Sequence, residues 1–205
     1  VAQMTTAMIL ESKVEPRFHP SSYGYRPGKS AIEAVGIARQ MCWRYDWVID
    51  LDIQGFFDSI DHKLMLGALR GYTEEPWILL YAERWLKAPG QGKDGKLVQR
   101  GCGTPQGGPI SPMLANIFLN EAFDLWMQEE FPALPFERYA DDIIVHCKTE
   151  KQARYVLSHI QKRLEAWKLT LHPEKTRIVY CKDKNRKGNH EHTKHDYWNC
   201  CPGRA

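Results

Sequence analysis

The chain has 205 residues, 43% of them hydrophobic and 26% charged, which is enough apolar material for a real core and excludes collagen, coiled-coil and wholly disordered chains. Lys and Arg number 28 against 25 Asp and Glu, and the net charge of +3 by itself argues against a protein living on phosphate contacts. The total hides an asymmetry: residues 148–205 hold 14 Lys and Arg against 6 Asp and Glu, whereas the first 147 hold 14 against 19.

Six cysteines (Cys42, Cys102, Cys147, Cys181, Cys200, Cys201) show no regular spacing, and no basic leader with an apolar block opens the chain. Reduced thiols in a cytoplasmic setting are expected, with Cys42, Cys102, Cys147 and Cys181 as small packing residues. No apolar run approaches the roughly 18 to 20 residues of a membrane span, so no membrane partner is expected. The first residue is Val1 rather than Met, which suits a piece of a longer protein.

In chain order, residues 3–14 place apolar side chains loosely at helical spacing, and Pro16, Pro20, Gly24, Pro27 and Gly28 then impose a loop rich in aromatic and basic residues. Ser30 with Glu33 forms a capping box for a helix over about 31–44, with Ile32, Val35, Ile37, Ala38 and Met41 as its apolar stripe. Trp47, Ile49 and Leu51 alternate with Val48, Asp50 and Asp52, the period of a strand. Helices follow at about 61–70, capped by Asp61, and at 75–87, with Pro76 in the first turn. Asp94-Gly95 signals a hairpin between Gln91 and Gln99.

After the glycine-rich run 101–108, Ser111-Pro112 opens a long helix to about 130, with Leu114, Ile117, Phe118, Ala122, Leu125 and Trp126 facing inward. Two short strands over about 138–147 fold back at Ala140-Asp141-Asp142. Thr149 with Gln152 caps a helix to about residue 168, and a last strand covers 177–181 before a polar, basic, mobile tail. The order of elements gives an α+β fold, a small, largely antiparallel sheet backed by helices, with carboxylates where strands end.

A single aspartate at a turn or strand end needs no function, because its side chain bonds local backbone. Asp141 and Asp142 at one hairpin tip, with Asp50, Asp52 and Asp58 around another strand, are harder to dismiss. Adjacent carboxylates raise one another's pKa unless a cation neutralises them. Hard oxygen donors of this kind suit Mg²⁺, and two such ions about 3.5 to 4 Å apart clamp the attacking and leaving oxygens of phosphoryl transfer.

Tyr139-Ala140-Asp141-Asp142, Asp52-Ile53-Gln54-Gly55-Phe56-Phe57-Asp58 and Gly103-Thr104-Pro105-Gln106-Gly107-Gly108-Pro109-Ile110-Ser111-Pro112-Met113-Leu114-Ala115-Asn116 together resemble reverse transcriptases encoded by bacterial group II introns. Ser22-Tyr23-Gly24-Tyr25-Arg26-Pro27-Gly28-Lys29-Ser30 and His172-Pro173-Glu174-Lys175-Thr176 match that family's flanking blocks in order. The resemblance covers roughly residues 3–182 and implies a right-hand polymerase palm with part of the fingers. It divides the chain into partial fingers and connection (1–46), palm with inserted finger helices (47–182) and a basic tail (183–205).

The resemblance further implies that Asp52, Asp141 and Asp142 are catalytic and hold two Mg²⁺ ions, with the Ile53 carbonyl as a further ligand. Asp50 is a rival on the same strand face; Asp52 is preferred because Phe57, five positions on, then matches the residue under the nucleotide sugar. A flat ring there excludes a 2′-hydroxyl and favours deoxynucleotides, although Phe57 alone also reads as a core aromatic. Gln106 and Gly107 belong to a nucleotide-binding block whose glycines allow close backbone approach and whose helix start favours phosphate.

Lys175 would neutralise or protonate leaving pyrophosphate, with a plain surface lysine as the bland reading. Tyr23, Arg26 and Lys29, with Tyr25, combine rings and cations suited to template or primer backbone. Gly28-Lys29-Ser30 is no triphosphate loop, since Tyr23 stands where that motif needs glycine. His190, His192, His195, Cys200 and Cys201 match no standard zinc spacing.

The implied function is RNA-directed DNA synthesis with an RNA template (intron RNA), a DNA or RNA primer and dNTPs as partners. The family's first fingers segment and its thumb and maturase region have no counterpart in the sequence. A catalytically inactive remnant or an RNA-binding splicing cofactor is the alternative, and a nucleotide cyclase is a distant third.

Overall fold

The computed structural model describes residues 1–91, 97–98, 100–105 and 107–182. Gln106 and the basic tail from 183, with its His and Cys residues, lie outside the described residues.

Helix α1 (Ala2–Val14) buries Ala7, Leu10 and Val14, and a single 3-10 turn (Glu15–Arg17) leads into the proline-broken loop. Helix α2 (Ala31–Cys42) starts as its capping box requires, the Ser30 hydroxyl accepting from the Glu33 N–H at 3.1 Å. Its buried seam differs from the expected stripe: Ala34, Ala38 and Cys42 are buried, while Ile32 is 85% exposed. Small residues at i, i+4 and i+8 let the helix lie close on the sheet, and proximity rather than bulk decides which face turns inward.

Strand β1 (Trp47–Leu51) is followed by the short helix α3 (Phe56–Ser59), then α4 (His62–Arg70) and α5 (Pro76–Leu86). Asp61 caps α4 by accepting from the Leu64 N–H, and Pro76 occupies the first turn of α5, both as expected. Strands β2 (Gly90–Gln91) and β3 (Leu97–Val98) pair antiparallel where the hairpin is expected; the turn itself lies outside the described residues.

The long helix after Ser111 runs as α6 (Ser111–Leu119), a π-turn (Asn120–Asp124) and α7 (Leu125–Glu130). The wider turn advances the inward face. Phe123 and Met127 are therefore buried with Leu114, Ile117, Phe118 and Ala122, whereas Leu125, expected inside, is 38% exposed. Strands β4 (Phe136–Tyr139) and β5 (Asp142–Cys147), helix α8 (Glu150–Ala166) and strand β6 (Arg177–Tyr180) complete the described chain. The Thr149 hydroxyl caps α8 by accepting from the Gln152 N–H.

The main sheet has four antiparallel strands in the order β4-β5-β1-β6. Trp47, Ile49, Leu51, Ile143, Val145 and Cys147 project into the main core, against α8 and the α6–α7 helix. Val48 and Ile144 project to the other face, where Ala38, Cys42 and Cys181 cover them. That face continues past α2 to Asp50, Asp52 and Asp142. The β4 edge is closed by residues 21–23, through Arg138 N–H to the Ser21 carbonyl (2.9 Å) and Tyr23 N–H to the Arg138 carbonyl (2.8 Å). Cys42, Cys147 and Cys181 are buried packing residues as expected, but Cys102 is exposed, because it sits on a surface segment bridged only to Asp61. No described helix is long and apolar enough to cross a membrane.

Candidate active site

The β1–β5 ladder pairs Leu51 with Ile143, so one further step along each strand brings Asp52 beside Asp142. Tyr139 pairs with Asp142 across a two-residue turn of Ala140 and Asp141, which sets Asp141 at the hairpin tip next to them. On the other side of β1, the Asp52 carbonyl accepts from the His172 N–H at 2.8 Å and the Gln54 N–H donates to the Thr170 carbonyl at 2.9 Å. Ile53 faces Leu171 between these two bonds, in a pairing that does not use the Ile53 carbonyl. The same bonds hold the 170–172 segment against the end of β1 and bring Lys175 Nζ to 3.0 Å from Asp52 Oδ2. Residues more than 120 positions apart thus meet at one strand end.

Electrostatics mark the cluster. Partial desolvation and the charges of Asp141, Asp52 and Asp50 push the Asp142 carboxyl up to about 6. Desolvation, then the Asp52 charge, also raises Asp141. The hydrogen bond to Asp52 and its charge raise Lys175, so the ammonium is held at neutral pH. Asp50 lies two ladder steps inside, opposite Ile144 and Arg177, and is largely buried. Asp52 acts on both turn carboxylates and contacts Lys175, which makes it the better placed of the two.

Among the described residues no three His, Cys, Asp or Glu side chains close into a ready cation cage, and Asp52 is turned onto Lys175. The donor chemistry nevertheless fits hard divalent cations. Burial and the Asp52 charge push the Asp141 and Asp142 carboxyls upward, which is the state that bound Mg²⁺ relieves, and a ladder-free backbone carbonyl adjoins them.

Phe57, half-buried in α3, stands edge-on to the Tyr25 ring with centroids 6.4 Å apart, and Tyr25 also lies 6.4 Å from Tyr139. Tyr25 is 57% exposed, and its phenol is raised by partial burial and the Asp141 charge. The glycine block is tied to the same region: Gly103 N–H donates to the Ile60 carbonyl and Thr104 N–H to the Phe57 carbonyl, both at 2.8 Å. Gly103 has φ +83°, and a Cβ there would lie 2.9 Å from the Asp58 backbone, so no other residue fits. Gly107, also at positive φ (+82°), is exposed beyond it.

The loop residues expected on nucleic acid hold the loop itself. Arg26 donates to both Glu15 oxygens and to the His19 and Ser22 carbonyls, at 2.6 to 3.2 Å. Tyr23 is buried, with Lys29 Nζ 4.8 Å from its ring centroid and bonded to the Pro20 carbonyl at 2.9 Å. Tyr25 is the aromatic ring this loop leaves open to the carboxylates. Sequence reading missed Arg138, Asn116 and Asp124, all buried near the turn. Their signal was available: Asn116 and Asp124, with Asn120, are polar positions on the inward side of a helix that buries mostly apolar residues.

The fold is shared with solved telomerase structures. Apo telomerase from Candida tropicalis superposes with a TM-score of 0.67 at 12% identity, over 87% of this chain and 36% of that one. The profile described as reverse transcriptase (RNA-dependent DNA polymerase) matches residues 1–197, and the chain belongs to that family. Protein YkfC of Escherichia coli (strain K12) is 30% identical over 221 residues, covering 89% of this chain and 58% of YkfC. Group II intron-encoded protein LtrA of Lactococcus lactis subsp. cremoris is 32% identical over 166 residues, covering 80% of this chain and 27% of LtrA. The chain thus spans little more than half of one relative and about a quarter of the other.

Proposed function

We propose that the chain is the polymerising core of an RNA-directed DNA polymerase of the group II intron type. In this reading residues 47–182 are the palm with inserted finger helices, 1–46 part of the fingers, and 183–205 a basic tail along the nucleic acid. One observation carries it: Asp52 from β1 and Asp141 and Asp142 from the β4–β5 turn share one strand end, where the Asp52 charge raises both turn carboxyls and a lysine ammonium contacts Asp52.

Asp52, Asp141, Asp142 and the Ile53 carbonyl would hold two Mg²⁺ ions, which supply charge neutralisation at the attacking 3′-hydroxyl and the triphosphate. The protein's own part is positioning. Phe57, braced by Tyr25 and the Thr104 N–H bond, forms the wall under the sugar that excludes a 2′-hydroxyl. Lys175, protonated at neutral pH, stands where an ammonium meets departing pyrophosphate. Gly107 offers backbone to the incoming nucleotide, with Gln106 beside it in sequence. Tyr25 supplies a stacking face for a base, while Tyr23, Arg26 and Lys29 shape the loop that presents it. The partners are an RNA template, a DNA or RNA primer and dNTPs.

Primer extension on poly(rA)/oligo(dT) with Mg²⁺ tests this reading. dT addition by the chain, abolished in Asp141→Ala, is expected. Extension that survives Asp141→Ala overturns the site. No extension, even when the chain is extended at both ends with flanking segments of a family member, but retained RNA binding favours the splicing cofactor.

A further inference from the structure

Behind the strand-end carboxylates runs a buried polar chain that the proposed reaction does not use. Arg138 of β4 is fully buried, and so is Asp124 of the π-turn. The guanidinium fork donates from Nε to Asp124 Oδ1 (2.8 Å) and from Nη2 to Asp124 Oδ2 (2.6 Å). Its third nitrogen, Nη1, donates twice more, to Asn116 Oδ1 (3.0 Å) and to the carbonyl of Ala140 (2.9 Å). Asn116 passes the chain on, its Nδ2 donating to the Gly24 carbonyl at 2.7 Å.

The end point of this chain is what gives it meaning. Ala140 adopts φ +56°, the left-handed conformation that residues with a Cβ avoid, and it directly precedes Asp141 and Asp142. Such a conformation persists only where its surroundings impose it. Two neighbours do so, one at its carbonyl and one at its nitrogen. Arg138 Nη1 holds the Ala140 carbonyl, and Gly24 lies so close that a Cβ on it would collide with the Ala140 backbone nitrogen. Desolvating a charge pair is costly, and well-packed apolar residues often replace such pairs without loss of stability. A planar fork, however, fixes direction as a hydrophobic contact or a lysine cannot.

We propose that Arg138 is a positioning residue: locked in orientation by Asp124 and Asn116, it clamps the Ala140 carbonyl and so sets the direction in which the Asp141 and Asp142 carboxylates leave the turn. The inference rests on the polymerase reading for what those carboxylates do, but not for the clamp itself. The π-turn is part of the device, since it belongs to the same wide turn that carries Asp124 inward toward β4.

The test uses the full chain with Asn116→Ala, Arg138→Lys and Gly24→Ala. Three quantities are measured on each: kcat and KM in primer extension, Mn²⁺ affinity of the primer–template complex by electron paramagnetic resonance, and the urea unfolding midpoint. In folded variants kcat and Mn²⁺ affinity fall roughly 10- to 100-fold, the usual effect of losing an outer-shell partner, while KM for primer–template stays within about two-fold. Unchanged kcat and Mn²⁺ affinity in folded Asn116→Ala and Arg138→Lys overturn the clamp, as does activity that falls only in proportion to folded protein. If Arg138→Lys fails to fold, Gly24→Ala decides, because it leaves both members of the Arg138–Asp124 pair in place and presses on the Ala140 backbone nitrogen. A wild-type chain that extends no primer, with variants that still lose Mn²⁺, sinks the polymerase reading and keeps the clamp.

Discussion

His146 and Glu137 meet at 2.6 Å beneath α2, both buried, on the sheet face opposite the main core. Burial alone would lower the imidazole's pKa, but hydrogen bonds to Cys42 and Glu137 outweigh it and raise His146 to about 9. The unfolded value is about 6.5, so the folded state prefers the imidazolium. Its contribution to stability is therefore full below about pH 6.5 and is lost as pH rises through about 9. Urea midpoints should fall across that window in the wild type, and Glu137→Gln should flatten the fall. A wild-type midpoint that does not change between pH 6.5 and 9 contradicts this assignment. Neither partner announces itself in the sequence, because Glu137 and His146 are nine residues apart and meet only through the β4–β5 register.

At the scale of elements, signals that act within a few residues were legible. Ser30, Asp61, Thr149 and Pro76 mark helix starts because a cap or a missing N–H is a local matter. Which helix face turns inward was less legible, because neighbouring elements decide it. In α2 the sequence favours Ile32, yet the sheet takes Ala34, Ala38 and Cys42. Ile32→Ala should therefore change unfolding free energy by no more than about 0.5 kcal/mol, as surface substitutions do. Ala38→Leu should cost about 1 to 3 kcal/mol by overpacking. Thermal melts of both variants check the pair, and a larger loss from Ile32→Ala would restore the bulky stripe. The π-turn is a similar case: one wider turn sends Leu125 outward and brings Phe123, Asp124 and Met127 in, and no local residue pattern specifies it.

At the scale of the whole molecule, the site was legible as motifs and illegible as geometry. Asp141-Asp142 and Asp52-Ile53 stand out as residue strings, and their resemblance to a family suggests the chemistry proposed for them. That Asp52 stands nearer than Asp50 to the turn carboxylates follows from the β1–β5 register, and the 170–172 segment brings Lys175 to it. Roles for the 22–30 loop were harder to assign: cations and rings look alike in sequence whether they face a ligand or, as Arg26 does, the Glu15 carboxylate.

The central claim is that the end of β1 and the β4–β5 turn act as one site. Single-nucleotide incorporation on an RNA template, measured by rapid quench for Asp52→Asn, Asp141→Asn and the double variant, tests it most directly. Groups that act as a unit are non-additive. Each single change should slow incorporation by about 100-fold or more, with the double little slower than either. Losses that multiply in the double variant, or near-normal incorporation by Asp52→Asn, would contradict the account.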